Sequence, residues 1–204
     1  MADINLDMMS PEYYDILKEL GNIGAGNATS ALAQMLQCKV DMLVPQVRLL
    51  EFQDVATIMG GEEQIMAGIY LSVAGDITGS IMFLLEKDSA RGLVTKLTGI
   101  EAEGEEFTEL ELSALQEVGN IITSSYLNSL SSLTKLTLSP SIPALAIDMA
   151  GAILSVPAIE FGIMGDKILL IQTQFFDERY LDGYFILAPD LESYGRILAS
   201  LGIQ

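Results

Sequence analysis

Asp15-Ile16-Leu17-Lys18-Glu19-Leu20-Gly21-Asn22-Ile23 and Ser113-Ala114-Leu115-Gln116-Glu117-Val118-Gly119-Asn120-Ile121 are two copies of one pattern. In each copy Glu and Asn stand three residues apart with a glycine just before the Asn, and the copies lie 98 residues apart. In a chain of 204 residues, such a pair predicts a duplicated fold with two equivalent polar sites.

The flanking sequence extends the repeat. Residues 11–36 read as a long helix: Pro11 suits its first turn, Ser10 its cap, and Ile16, Leu20, Ile23, Ala28, Ala31 and Met35 trace an apolar stripe. Residues 40–50 read as a strand that Pro45 marks as an edge or a bulge, and Val55 to Met59 as a short helix. Ile69–Ala74 and Ser80–Leu85 read as a hairpin turning at Gly75-Asp76. Asp88 is the expected cap of a helix that runs to Leu97 and stops at Gly99.

The second half repeats this order. Glu105 to Leu130 reads as a long helix, Leu133–Leu138 as a strand, and the residues after Pro143 as a short helix. Val156–Ile163 and Lys167–Thr173 read as a hairpin turning at Gly165-Asp166, Tyr184–Leu187 as one more strand, and Asp190 as the cap of a last helix through Leu201. Asp88 and Asp190 are 102 residues apart, so the repeat spans the chain with a few residues inserted in the second copy. The expected fold class is α/β of the α+β kind. Pseudo-two-fold duplicated helix-strand-hairpin-helix units form a largely antiparallel sheet with two long exposed helices outside it. The expected organisation is a single domain over residues 1–204, with halves at about 11–99 and 105–204.

Composition narrows the chemistry. Twenty-eight acidic against ten basic residues give a formal charge of -18, a field that repels nucleic acid and anionic lipid and would steer in a protein with a basic rim. Six glutamates crowd residues 101–111, a segment read as a solvated linker and helix start. No stretch is long and apolar enough for a membrane span, and the acidic N-terminus does not read as a secretory leader. The chain has no histidine, which removes the commonest general base and a frequent metal ligand. Cys38, the only cysteine, and Met149 and Met164 read as core residues, and a zinc site would need carboxylates almost alone.

Helical spacing puts i and i+3 about 60° apart and i and i+4 about 40° apart. Asp15, Glu19 and Asn22 therefore share one face, as do Ser113, Glu117 and Asn120, and both triplets are expected to be exposed. A carboxamide cannot abstract a proton at neutral pH, but it can hold a water in line with an electrophile. A glutamate held rigidly on the helix can pair with a cationic side chain of a docked partner. Gly21 and Gly119 cost the helix about 1 kcal/mol each against alanine, so close packing or clearance for a partner must compensate. The run Gly21-Asn22-Ile23-Gly24-Ala25-Gly26-Asn27 invites a phosphate-cradling loop, yet no Gly-Lys-Ser/Thr follows and no strand precedes it. Hydrolysis by Glu19 and Glu117 as a carboxylate pair would need them to face each other across a cleft.

Taken together, Asp15-x-x-x-Glu19-x-x-Asn22, Ser113-x-x-x-Glu117-x-x-Asn120 and Gly21-Asn-Ile-Gly-Ala-Gly-Asn-Ala28 resemble the twin signatures of the CheC family of bacterial and archaeal chemotaxis phosphatases. The resemblance covers essentially the full chain. It implies a cytoplasmic protein aspartyl-phosphate phosphatase that acts on a phosphorylated CheY-like response regulator. Asn22 and Asn120 would enter the regulator's active site and orient the attacking water, while Glu19 and Glu117 would contact its lysine. Asp15 and Ser113 would support them on the same face. The family implies no intrinsic cofactor or metal; Mg²⁺ belongs to the regulator. It also implies a CheD-like receptor deamidase as a further partner; a monomer is expected, and the charge and hydropathy above argue against nucleic-acid binding and membrane insertion. The competing expectations are a non-catalytic adaptor at the chemotaxis array or the flagellar motor switch, and a small-molecule hydrolase.

Overall fold

A computed structural model describes residues 11–42, 46–101, 104–161, 167–177 and 179–202. The first half runs α1 (Pro11–Leu36), β1 (Asp41–Met42), β2 (Gln46–Glu51), α2 (Phe52–Ile58), β3 (Ile65–Gly75), β4 (Gly79–Glu86) and α3 (Lys87–Thr98). The second runs α4 (Glu109–Thr134), β5 (Leu138–Pro140), β6 (Ala144–Met149), α5 (Ala150–Phe161), β7 (Lys167–Asp177), β8 (Arg179–Pro189) and α6 (Leu191–Ser200). All eight strands join one antiparallel sheet in the order β1-β7-β8-β4-β3-β5, with β2 also on β7 and β6 also on β3.

The two halves repeat each other at the level of register. Ile65 pairs with Met149, and Lys167 with Glu51. Met149 is Glu51 displaced by 98 positions, and Lys167 is Ile65 displaced by 102. The four extra residues of the second copy therefore fall between β6 and β7. The central β4–β8 pair carries the approximate two-fold axis, so the sheet is shared by both halves.

Period-two alternation sorts side chains onto two faces. Ile69, Leu71, Ile81, Phe83, Leu85, Ile171 and Phe185 point to one face, where they meet α1, α3, α4 and α6. Met66, Met82, Leu84, Leu170 and Ile186 point to the other, where they meet α2 and α5. Each such side chain, fully buried, contributes about 1.5–3 kcal/mol.

Helix ends follow local chemistry. Thr108 and Glu111 form a capping box that starts α4, and Asp190 accepts from Ser193 N at 2.7 Å to start α6. Gly99 at φ 70° closes α3, donating its N–H to Thr95 O.

Several sequence expectations need correction. The N-cap of α3 is Glu86, without a side-chain cap bond; Asp88 lies in the first turn. The second long helix begins at Glu109, not Glu105, because the capping box sits at Thr108. It also runs on through Thr134, so Leu133 and Thr134 are helical, and only Leu138–Pro140 forms a strand. Residues 144–149 are strand β6, held on β3, and the helix starts at Ala150. Val156 to Phe161 belong to α5, despite Pro157 inside it, so β7 forms its hairpin with β8. The apolar stripe of α1 is rotated: Leu17, Leu20, Ala25, Ala28 and Leu32 are the buried positions, while Ile16, Ile23, Ala31 and Met35 are half-buried. Met149 is 44% exposed and outside the core, and Cys38 is half-buried. Ser10, Pro45, Ile163, Met164 and Gly165-Asp166 lie outside the described residues.

Candidate functional site

α1 and α4 lie on the same sheet face and pack against each other. α1 buries Leu17, Leu20, Gly21, Gly24, Ala25, Ala28 and Leu32, leaving Asp15, Lys18 and Glu19 exposed. α4 buries Leu115, Val118, Gly119, Ile122 and Tyr126, leaving Ser113 and Glu117 exposed. Asn22 and Asn120 fall at the edge between the two faces and are half-buried, which corrects the expectation that both whole triplets are exposed. Each motif is thus a rigid row: an exposed glutamate, then, one turn on, an amide partly sunk into the surface.

The glycines explain that depth. A Cβ on Gly119 would stand 2.5 Å from Ile69 Cγ1, so α4 settles directly onto β3 at the residue before Asn120. A Cβ on Gly24 would run into the Tyr126 ring, so this glycine lets the two long helices close. The Tyr126 ring in turn stacks on Phe185 at 5.6 Å. Gly119 and Gly24 are packing glycines. Gly26 has nothing within 4 Å of a Cβ. The whole Gly21–Asn27 run lies inside α1. Its amides there are engaged in helix bonds, which rules out a phosphate cradle.

The two amides differ. Asn22 Oδ1 is shut off from solvent and has no hydrogen-bond partner. Asn120 shows no such orphaned atom. Behind Asn120, Thr123 Oγ1 donates to Gly119 O at 2.6 Å and approaches Asn120 O at 3.3 Å, bracing that turn.

The Thr108 backbone N–H and then its hydroxyl hold the Glu111 carboxyl below the ordinary glutamate range, and the Arg91 charge adds to this. Arg91, on α3, lies 4.7 Å over the Phe107 ring and donates to Gly104 O, pinning the linker to α3. Burial pushes the Tyr126 phenol up. Among the described residues no three of His, Cys, Asp and Glu converge as a metal site would require.

Two features were not foreseen from sequence. Gln116 Nε2 donates to Pro143 O at 2.7 Å, tying the β5–β6 turn to the residue beside Glu117; nothing in the local pattern signals this bond. A groove of about 430 Å³ also runs between α1 and α4, lined by uncharged residues including Asn27, Ser30, Asn128 and Ser132. Asn27 Nδ2 donates to Ser129 Oγ there at 2.8 Å. None of the six motif residues lines it.

Comparison with known proteins agrees with this arrangement. The profile of the CheC-like family matches residues 14–48 and 110–147, the segments that hold both motifs. The chain is 39% identical over 199 residues to the CheY-P phosphatase CheC of Bacillus subtilis strain 168, covering 94% of each. Among solved structures it is similar to Thermotoga maritima FliY, with a TM-score of 0.75, 22% identity and 96% and 98% of the two chains covered. It is also similar to a chain of the CheX–CheY–BeF₃–Mg complex of Borrelia burgdorferi, with a TM-score of 0.55, 18% identity and 87% and 97% covered. No helix among the described residues is long and apolar enough to cross a membrane. With the twin Glu-x-x-Asn rows on paired helices over one duplicated sheet, and this identity along nearly the whole length, the chain belongs to the CheC-like family.

Proposed function

We propose that this protein is a phosphatase that accelerates hydrolysis of the phosphoaspartate of a CheY-like response regulator. The observation that carries the reading is the 39% identity over 94% of the chain to a protein named a CheY-P phosphatase. Two rigid Glu/Asn rows at the surface support it, since they suit a partner that brings its own reactive group. Asn22 and Asn120 orient a water in line with phosphorus, and Glu19 and Glu117 contact the regulator's lysine. Asp15 and Ser113 support the rows from one turn before. The chain works as one internally duplicated domain, as a monomer in the cytoplasm.

The chemistry asks little of the side chains. Water oxygen bonds to phosphorus, the bond from phosphorus to the aspartyl oxygen breaks, and the carboxylate leaves with that electron pair. The water's protons pass to phosphate and solvent. The acyl phosphate is activated, so neither a histidine base nor a covalent enzyme intermediate is needed. Holding water and electrophile together lowers the barrier, and each 1.36 kcal/mol is worth about tenfold in rate. Mg²⁺ comes with the regulator. A CheD-like deamidase is the second partner in this reading.

The test is a dephosphorylation time course of purified phosphorylated regulator with substoichiometric amounts of this chain. Turnover is expected from the native protein and not from Asn22→Ala/Asn120→Ala. Full activity in that folded double variant, or binding without turnover by the native chain, would overturn the assignment; the latter would make it an adaptor.

A further inference from the structure

We propose that Ile142 is a docking residue of the second-half site, held in position by Gln116; this rests on the phosphatase reading above. Ile142 is 87% exposed, more than any other large apolar side chain among the described residues that stand out from the core. Such exposure on a loose loop would mean little, but this backbone is fixed on both sides. Ser141 N donates to Ser72 O at 2.8 Å, and Ser72 N donates to Ser141 Oγ at 3.0 Å. Pro143 O accepts from Gln116 Nε2 at 2.7 Å. An isoleucine on a clamped turn loses little further freedom when a partner covers it, so its burial is retained as affinity.

Its location ties it to the motif. Gln116 immediately precedes Glu117 and stands one turn before Asn120 on α4. By helical geometry Gln116, Asn120, Ser113, Glu117 and Leu110 follow one another within about 120° around the axis. Leu110, at the far edge of this arc, is 59% exposed. The polar row is therefore flanked by two exposed apolar residues: Ile142, next in the chain to the Pro143 that Gln116 holds, and Leu110, about two turns before Glu117 on α4. That frame fits a folded protein with apolar surface next to a recessed phosphoaspartate, and gives no advantage with a small phosphoester. It is not a simple copy of the first half, where the positions 98 residues earlier hold Lys18 and Glu12 in place of Gln116 and Leu110.

Two single-site backgrounds test the inference. Asn22→Ala leaves the second-half site, and Asn120→Ala the first. In the Asn22→Ala chain, Ile142→Ser is expected to raise KM for the phosphorylated regulator about 5- to 10-fold with little change in kcat, the size typical of a truncated apolar anchor. Ile142→Leu should restore KM, and Gln116→Ala should raise it by a smaller factor as the turn comes free. In the Asn120→Ala chain, Ile142→Ser should change nothing. An unchanged KM in the first background, or an equal rise in both, overturns the proposal. Calorimetric titration with BeF₃-treated regulator separates this from the parent reading. Binding weakened by Ile142→Ser in a chain without turnover would keep the docking residue and sink the phosphatase. Turnover with both KM and binding unmoved by the substitution would do the reverse.

Discussion

Phe83 and Phe185, 102 residues apart in the chain, stand directly opposite each other in the central β4–β8 pair, their ring centroids 4.9 Å apart. Both are buried, and Phe185 also carries the Tyr126 ring of α4. The approximate two-fold axis passes through this contact, so each half completes the other's core. Phe185→Ala is expected to cost about 3–5 kcal/mol. Urea denaturation should still give one transition, since neither half owns a complete sheet. An unchanged midpoint, or two separated transitions, would contradict this account.

The glycines of the long helices should respond in opposite directions. Gly119→Ala drives a methyl into Ile69, and Gly24→Ala drives one into Tyr126. Each is expected to destabilise by about 1–3 kcal/mol. Gly26→Ala meets nothing within 4 Å inside the same helix as Gly24 and should stabilise by up to about 1 kcal/mol. Thermal melts of the three variants check the sign at each position.

The two amides predict unequal sites. Asn22 buries its Oδ1 without a partner, a state that costs about 1–3 kcal/mol. In the proposed reaction that carboxamide would have to turn before it could accept from an attacking water. Asn120 starts with no orphaned atom. Loss of one positioning group should silence its own site by about 10²-fold, so each single variant reports what the other site contributes. Asn120→Ala is expected to remove more than half of the steady-state turnover, and Asn22→Ala less. Equal losses would show that the buried oxygen has no kinetic consequence.

Glu111 sets an acid limb of stability. Its folded pKa lies below the ordinary value of 4.5, first because Thr108 N–H and then because the Thr108 hydroxyl bond the charged form. A depressed carboxylate contributes stability that is complete above its unfolded value and disappears as pH falls through the folded one. Between pH 7 and pH 5 the Glu111 contribution should therefore be constant, and below about 4.5 it should decline. Glu111→Gln should lower Tm at neutral pH and flatten the decline in acid. Thr108→Ala removes the cap itself and should cost about 1 kcal/mol at neutral pH. Melts from pH 3 to 7 would reveal a parallel shift instead if the carboxylate were irrelevant.

Elements carrying their own signals were legible in the chain. Pro11 opens α1, Gly99 closes α3 and Asp190 caps α6, each where local chemistry places it. The errors fall where no local rule applies. Leu133-Thr134-Lys135 reads as strand, yet the helix persists because Thr134 Oγ1 bonds Leu130 O and Lys135 adopts φ 62° as its cap. A lysine in the left-handed region has no signature in sequence. Val156-Pro157 reads against helix, and α5 forms nonetheless with Ala150, Ile153 and Leu154 packed in the second core.

The sequence by itself determined the doubled Glu-x-x-Asn rows, their place on two long helices and the first-half hairpin, because periodicity, caps and turn residues are local properties written in consecutive residues, and the motifs themselves carried the likeness to the family. Only the tertiary structure decided that β4 meets β8 at the axis, that Gly119 exists to admit Ile69, that Asn22 hides an oxygen while Asn120 does not, and that Gln116 fixes the turn bearing Ile142. Each of those is a contact between residues distant in sequence, fixed by which side chains fill shared space once both halves close on one sheet.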